Sequence, residues 1–322
     1  MKKDLILQIN IPFCTHRCSY CADRVCAYDA SVSAAYVKAL LNEINAAAPD
    51  AEDYCVSAIS LEGGCPSLLE PSGLQAVLRS VKKNFTLAED VQISLQTLPG
   101  DYSRALMEKM RDNGVNFWIV GLETAELREH ELLQRPYRFD AITMVDTALN
   151  AFHPRALSFD LLCGIPGQTE VSWEHTLDAA LAYDPDHITI YPLRYPAGSA
   201  LQLDRAAGLL EPVSAEEEAR LLSIAREKLN RLGYSAYTRC DYCKPGKENR
   251  FRLGQLNGTE QLGLGYNALT IMDGYTYRSG HSLQEYLDHS DDLSIIATDI
   301  AELTEKALEE LKRLRAGLLP QD

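Results

Sequence analysis

Long apolar runs are missing from this 322-residue chain. No stretch of about 18 apolar residues occurs, which excludes a membrane-spanning helix of the usual kind. The opening MKKDLILQIN has neither the apolar core nor the cleavage site of a secretion signal. Basic residues are outnumbered: 31 Lys and Arg against 46 Asp and Glu give a formal charge of −15, and no basic patch offsets it. A nucleic-acid partner is therefore not expected, because phosphates demand a basic surface. The acidic groups are scattered or lie on helix faces (AEEEAR, EKALEELKR), where they read as solvated surface. Repeats and low-complexity tracts are absent too. The expected compartment is the cytoplasm, with no membrane contact. Cysteine, by contrast, is plentiful at nine residues. Disulfides are not expected in a cytoplasmic chain of this length, so clustered cysteines read as metal ligands. Cys55 and Cys163 stand alone in apolar contexts and read as small buried hydrophobes.

Short apolar or alternating runs recur at residues 5–11, 57–61, 91–96, 116–121, 157–162 and 187–191. Helical periodicity lies between them: Val37, Leu40, Leu41 and Ile44; Leu74, Val77, Leu78 and Val81; Ile142, Val145 and Leu149. Strands alternating with helices predict parallel crossovers, with functional groups at the C-terminal ends of the strands. Six such units fall short of a closed eightfold barrel. The expected fold is α/β, a partial (β/α)6 barrel over residues 1–200 with a smaller α+β region over 201–322. In that second region Ser214 and Glu217 form a capping box ahead of a long amphipathic helix. The segment KPGKENRFRLGQLNGTEQLGLGYNA reads as loop and short strand. A final helix is expected to place Leu303, Ala307, Leu308, Leu311 and Leu314 on one face.

The densest chemical signal is CTHRCSYC, in which Cys14, Cys18 and Cys21 are spaced C-x3-C-x2-C directly after the first strand. A structural zinc site closes with four protein ligands. Three thiolates on a four-iron cubane instead leave one iron open to a ligand that is not protein. The alternative is zinc completed by a neighbour such as His16 or Cys26. Cys240 and Cys243 form a second close pair, CDYC, a spacing that binds metal or acts in redox exchange but also occurs as two plain loop thiols.

With Tyr20 before its third cysteine, the motif resembles the signature of radical S-adenosylmethionine enzymes. The phrase INIPFCTHRCSYC resembles the branch that holds oxygen-independent coproporphyrinogen III dehydrogenase and the related haem chaperone. The likeness continues in order through EGGCPSLL, VGLETAELREHELLQR, LSFDLLCGIPGQT, HITIYPLRYPAGSAL, YCKPGKENR, GLGYNA and SLQEYL, roughly nine-tenths of the chain.

The resemblance implies a [4Fe–4S] cluster on Cys14, Cys18 and Cys21, with S-adenosylmethionine as the second cofactor. Gly63 and Gly64 would let backbone carbonyls approach its ammonium group, a plain tight turn being the alternative. Arg135 would contact the methionine carboxylate, with a surface salt bridge as its alternative. Glu123 and Asp160 would contact the ribose or the reactive region. Several positions depart from the family: Glu62 replaces the first glycine of a triplet, Cys65 a threonine, Glu123 a glutamine and Gln96 a glutamate. Gln8, Asn10 and Asp23 stand where the decarboxylating enzyme has Tyr, His and a fourth Cys, and Phe251 stands where the chaperone has a His. Relatives also continue past LKRLRAGLL into a further small helical domain, so a substrate cover or docking piece is expected to be absent or reduced here. The implied activity is cleavage of S-adenosylmethionine to a 5′-deoxyadenosyl radical, for oxidation or methylation of a tetrapyrrole or another small molecule. A flavodoxin or ferredoxin would supply electrons. The alternative is a haem-binding chaperone that delivers haem to a partner protein.

Overall fold

A computed structural model describes residues 2–21, 23–101, 103–137 and 156–315. The helical pattern on Ile142, Val145 and Leu149, and the side chain of Leu314, lie outside the described residues.

Six strands run parallel and adjacent in chain order: β1 (Lys3–Ile11), β4 (Tyr54–Gly63), β5 (Leu87–Thr97), β6 (Phe117–Glu123), β7 (Leu157–Cys163) and β8 (His187–Pro192). They cover all six apolar runs of the sequence. Alternation sets their two faces. In β1, Leu5, Leu7, Ile9 and Ile11 point into the main core. Gln8 and Asn10 fall on the other face, toward the inside of the sheet's curve.

The outer layer is helical. Asp29 accepts hydrogen bonds from the Ser31 and Val32 amides and starts the Ala30–Ala47 helix, which buries Leu40 and Ile44. In the Pro71–Asn84 helix, Leu74, Val77, Leu78 and Val81 are all buried, as their spacing requires. Each such side chain contributes roughly 1.5–3 kcal/mol through burial. The Ser214–Glu217 capping box is present at the head of the Ala215–Arg231 helix.

The strands after residue 200 join both edges of the same sheet. The short β2 (Phe13–Cys14) and β3 (Cys26–Ala27) pair with each other beside the cysteine loop, and β9 (Ser235–Ala236) lies at one end of the large sheet. Next to it, β10 (Asp241–Cys243) runs antiparallel to β8. At the other edge β11 (Glu260–Leu264) runs parallel to β1, Leu5 facing Glu260, and leads into β12 (Leu269–Met272), β13 (Tyr275–Ser279) and β14 (Ala297–Glu302). Seven consecutive strands are thus parallel.

Three expectations are corrected. The segment read as loop and short strand holds a helix, Arg250–Asn257, capped by Asn249. Its inward residues are Phe251 and Gly254, too few to leave an amphipathic pattern. Phe251 packs on Ile6 and Ala58, and Gly254 lets the helix approach β1, since a Cβ there would lie 2.8 Å from Ile6 Cγ2. Of the CDYC pair read as loop thiols, Cys240 lies in a bend but Cys243 lies in β10, and both are buried. Cys163 is buried as expected, but Cys55 is only half-buried.

Candidate functional site

The C-terminal ends of the parallel strands surround a cavity of about 430 Å³. Cys14, Cys18, Cys21, Gly63, Gly64, Glu123, Arg135 and Asp160 all line it. The fold thus brings these eight residues together from five separate segments, while Cys26, Cys240 and Cys243 do not line this cavity.

The cysteine loop is tied to its surroundings by backbone. The Ser19 amide and hydroxyl donate to the carbonyls of Leu133 (3.0 Å) and Leu132 (2.8 Å), and the Leu201 amide donates to the Ser19 carbonyl at 2.9 Å. Within the loop the Cys21 amide donates to the Cys18 carbonyl at 3.1 Å. All three thiols are free and half-buried. Burial, helped by the neighbouring thiols, pushes Cys14 up to about 12. Burial and then Asp23 push Cys21 up to about 11. Such thiols stay protonated until a cation compensates the charge.

Gly63 and Gly64 make room beside this loop. Gly63 has φ +113°, and a Cβ there would fall 2.2 Å from Asn10 Oδ1. At Gly64 a Cβ would sit 2.6 Å from the Phe13 carbonyl oxygen and 3.0 Å from Cys14 Sγ. Only glycine leaves this backbone bare toward the cavity.

Arg135 and Glu123 do something the sequence did not suggest: they pair with each other. Arg135 Nη2 lies 2.5 Å from Glu123 Oε2, with the side chains 7% and 11% exposed. The same guanidinium donates to the Gly121 carbonyl at 2.7 Å, to the Tyr20 hydroxyl at 3.1 Å and to Cys18 Sγ at 3.5 Å. The Tyr20 hydroxyl donates in turn to Glu123 Oε1 at 3.3 Å. Burial pushes the Glu123 carboxyl up, opposed by Arg135 and Tyr20. A left-handed backbone at Glu123 (φ 59°) beside a register shift in the β6–β7 pairing aims this side chain into the cavity. The pair is buried, so the surface salt bridge weighed for Arg135 does not describe it.

Asp160, at the middle of β7, is 9% exposed. Burial, with Glu123 and Asp241 adding repulsion, lifts it to about 8. Sequence reasoning also missed a knot at the rim. Asp101 accepts from Cys65 Sγ at 3.0 Å, from the Tyr137 hydroxyl at 2.5 Å and from the Ser67 hydroxyl. Residues 36 positions apart meet here because β4 and β5 are neighbours, and no local pattern announces that.

The residues present fit a cluster held by three thiolates. Cys14, Cys18 and Cys21 face one cavity, the bare backbone of Gly64 lies against Cys14 Sγ, and a cation-bearing network touches Cys18; Cys65 also lines the cavity but is buried and donates to Asp101 at 3.0 Å. Among the described residues no group of three or more His, Cys, Asp or Glu is drawn together to hold a single metal ion. No described helix is long and apolar enough to cross a membrane.

A sequence model of the Radical SAM superfamily matches residues 10–180. The chain is 28% identical over 273 residues to the protein named heme chaperone HemW of Synechocystis sp., covering 83% of this chain and 66% of that one. It is 26% identical over 306 residues to the HemW of Bacillus subtilis, covering 94% and 80%. It is 24% identical over 262 residues to the mitochondrial radical S-adenosyl methionine domain-containing protein 1 of Danio rerio, covering 81% and 59%. The chain thus spans less than two thirds of the Synechocystis and Danio proteins. Among solved structures, coproporphyrinogen III oxidase (HemN) from Escherichia coli superposes with a TM-score of 0.82 at 19% identity, over 98% of this chain and 76% of that one. At that identity the likeness is one of fold.

Proposed function

This chain belongs to the Radical SAM superfamily, whose cofactors are a [4Fe–4S] cluster and S-adenosylmethionine, and from that premise we propose that it cleaves S-adenosylmethionine reductively to drive oxidation or methylation of a small molecule. The observation that carries this reading is the convergence of Cys14, Cys18, Cys21, Gly63, Gly64, Glu123, Arg135 and Asp160 on one cavity. A cluster held there and reduced by an external donor would supply the one electron needed to cleave the sulfonium bond of S-adenosylmethionine, giving methionine and a 5′-deoxyadenosyl radical.

The chain's own residues hold, orient and shield. Cys14, Cys18 and Cys21 are the cluster ligands. The backbone at Gly63 and Gly64 receives the ammonium of S-adenosylmethionine, and Asp160 accepts from ribose hydroxyls. Arg135 offers its charge toward the methionine carboxylate, in competition with Glu123, which holds it at 2.5 Å. The strand ends and the cysteine loop enclose the reaction and limit the access of water. Electrons come from a small redox protein of the flavodoxin or ferredoxin kind, and the substrate is a tetrapyrrole or another small molecule.

The test is anaerobic reconstitution with iron and sulfide, then reductant and S-adenosylmethionine. Methionine and 5′-deoxyadenosine should form, and the Cys14→Ala, Cys18→Ala and Cys21→Ala proteins should form neither. Equal product from Cys18→Ala and the parent protein would end this reading.

A second reading, haem transfer to a partner, is favoured by the names of the HemW relatives. It lacks a ligand at one place: Phe251, where the chaperone has a His, is 4% exposed and packed on Ile6 and Ala58. Haem titration separates the two, since a chaperone gives a saturable change in the haem absorbance at one equivalent.

A further inference from the structure

Most of the hydrogen-bonding capacity of Arg135 is committed before any ligand arrives. A guanidinium carries five N–H donors in a fixed plane. Nη1 donates to the Tyr20 hydroxyl at 3.1 Å and to Cys18 Sγ at 3.5 Å. Nη2 donates to the Gly121 carbonyl at 2.7 Å and lies 2.5 Å from Glu123 Oε2. With both tips of the fork engaged, a bidentate grip on a carboxylate is closed to it, which leaves the Nε–H for the methionine end of S-adenosylmethionine.

What the side chain does reach is the sulfur of a cluster ligand. The guanidinium is 7% exposed and Cys18 is half-buried, so salt and water screen this contact poorly. Net charge and hydrogen bonds to the sulfurs set the reduction potential of an iron–sulfur cluster. A cation that donates to a ligating sulfur favours the reduced, more negative cluster and raises the potential. A carboxylate nearby works the other way. Glu123 is that carboxylate: it lies against the guanidinium on the side away from Nη1 and accepts from the Tyr20 hydroxyl at 3.3 Å. It stands where the family sequence has a neutral glutamine, so the opposing charge belongs to this chain.

We infer that the Arg135–Glu123 pair sets the reduction potential of the cluster. Arg135 raises the potential through Cys18, and Glu123 holds it down by offsetting that charge. A lower potential favours delivery of the electron to the sulfonium. The inference rests on the cluster assignment proposed above and gives both residues a role separate from contact with S-adenosylmethionine: they act through a ligand sulfur rather than on a reacting atom.

The test is an anaerobic potentiometric titration of the reconstituted protein at pH 8, without S-adenosylmethionine, following the reduced cluster by electron paramagnetic resonance. No turnover is needed. Glu123→Gln removes the negative charge while Arg135 stays protonated, so the ratio of reduced to oxidised cluster at a fixed applied potential should rise several-fold. Arg135→Gln should lower the same ratio by about tenfold, or ~59 mV for a one-electron couple. A proton taken up by Glu123 restores neither the nearer charge nor the donor to Cys18. Lost packing alone would move both variants the same way or neither, whereas the inference requires opposite shifts. If Arg135→Gln does not fold or hold the cluster, the rise in Glu123→Gln decides alone. An unmoved potential in Glu123→Gln, or shifts of one sign in both variants, overturns the inference and leaves the cluster assignment intact. A parent protein that takes up no iron overturns both.

Discussion

Replacing Arg135 by Met tests whether the buried pair organises the cavity. The guanidinium lies 2.5 Å from Glu123, and neither side chain is more than 11% exposed. Removing the cation leaves a carboxylate with little water to solvate it, which costs about 3–5 kcal/mol in such settings. The Gly121 carbonyl also loses its 2.7 Å donor. The penalty depends on pH with a definite sign. Burial already raises the Glu123 carboxyl, and without Arg135 it rises further. A folded-state carboxyl above its unfolded value binds its proton more tightly in the native protein, so stability falls as pH climbs through that interval. The deficit of Arg135→Met should therefore be largest at pH 8 and shrink toward pH 5, where Glu123 takes up a proton. Anaerobic urea unfolding of the metal-free, reduced protein at both pH values measures it. Adding Glu123→Gln should recover a large part of the loss, because no unpaired charge then remains. A deficit below about 1 kcal/mol, the range of exposed pairs, or one unchanged by pH and by the second substitution, would refute the reasoning.

Three further outcomes follow from buried groups elsewhere. Glu43 is 1% exposed and accepts from the Gly265 amide (2.6 Å), the Tyr286 hydroxyl (2.7 Å) and the Ser279 hydroxyl (2.8 Å). Burial lifts it to about 7, so the protein should lose about 3 kcal/mol from this group as pH rises from the usual Glu range through 7, and Glu43→Gln should flatten that slope in urea midpoints. His187 lies between the Ser158 and Tyr237 hydroxyls at 2.8 and 2.7 Å, and burial lowers it to about 4. Its contribution is complete above the unfolded value near 6.5 and is lost as pH falls toward 4; NMR should show a neutral ring at pH 5.5. Gly254→Ala forces a Cβ against Ile6 Cγ2 at 2.8 Å and should destabilise the chain by about 1–3 kcal/mol, read as a lower urea midpoint.

The parallel half of the fold is legible in the sequence because each strand carries its own apolar run and each outer helix its own spacing. Leu74, Val77, Leu78 and Val81 state the buried face of their helix outright. The cysteine motif is similarly local. What escapes is non-local or weakly patterned. Nothing near residue 260 says that β11 pairs with β1, because the alignment of Leu5 with Glu260 joins segments at opposite ends of the chain. The Arg250–Asn257 helix buries Phe251 and Gly254, and two residues cannot announce a period. At the site, the residue types singled out in the sequence meet at one cavity, but their partners there had no local signal. Arg135 and Glu123, 12 positions apart, face each other because the turn after the Leu127–Leu133 helix returns the chain to the end of β6. Tyr20 is visible in the sequence as an aromatic before a cysteine, whereas its bridging of Arg135 and Glu123 depends on segments more than 100 positions away.

The central claim is that three thiolates leave one iron of a cluster free for S-adenosylmethionine. Electron paramagnetic resonance of the reconstituted, reduced protein, recorded before and after S-adenosylmethionine is added, tests it most directly. The expected result is a reduced [4Fe–4S] signal that changes when the ligand arrives and is lost in Cys18→Ala. A protein that purifies anaerobically with stoichiometric zinc and no iron, or a cluster signal indifferent to S-adenosylmethionine, would contradict it.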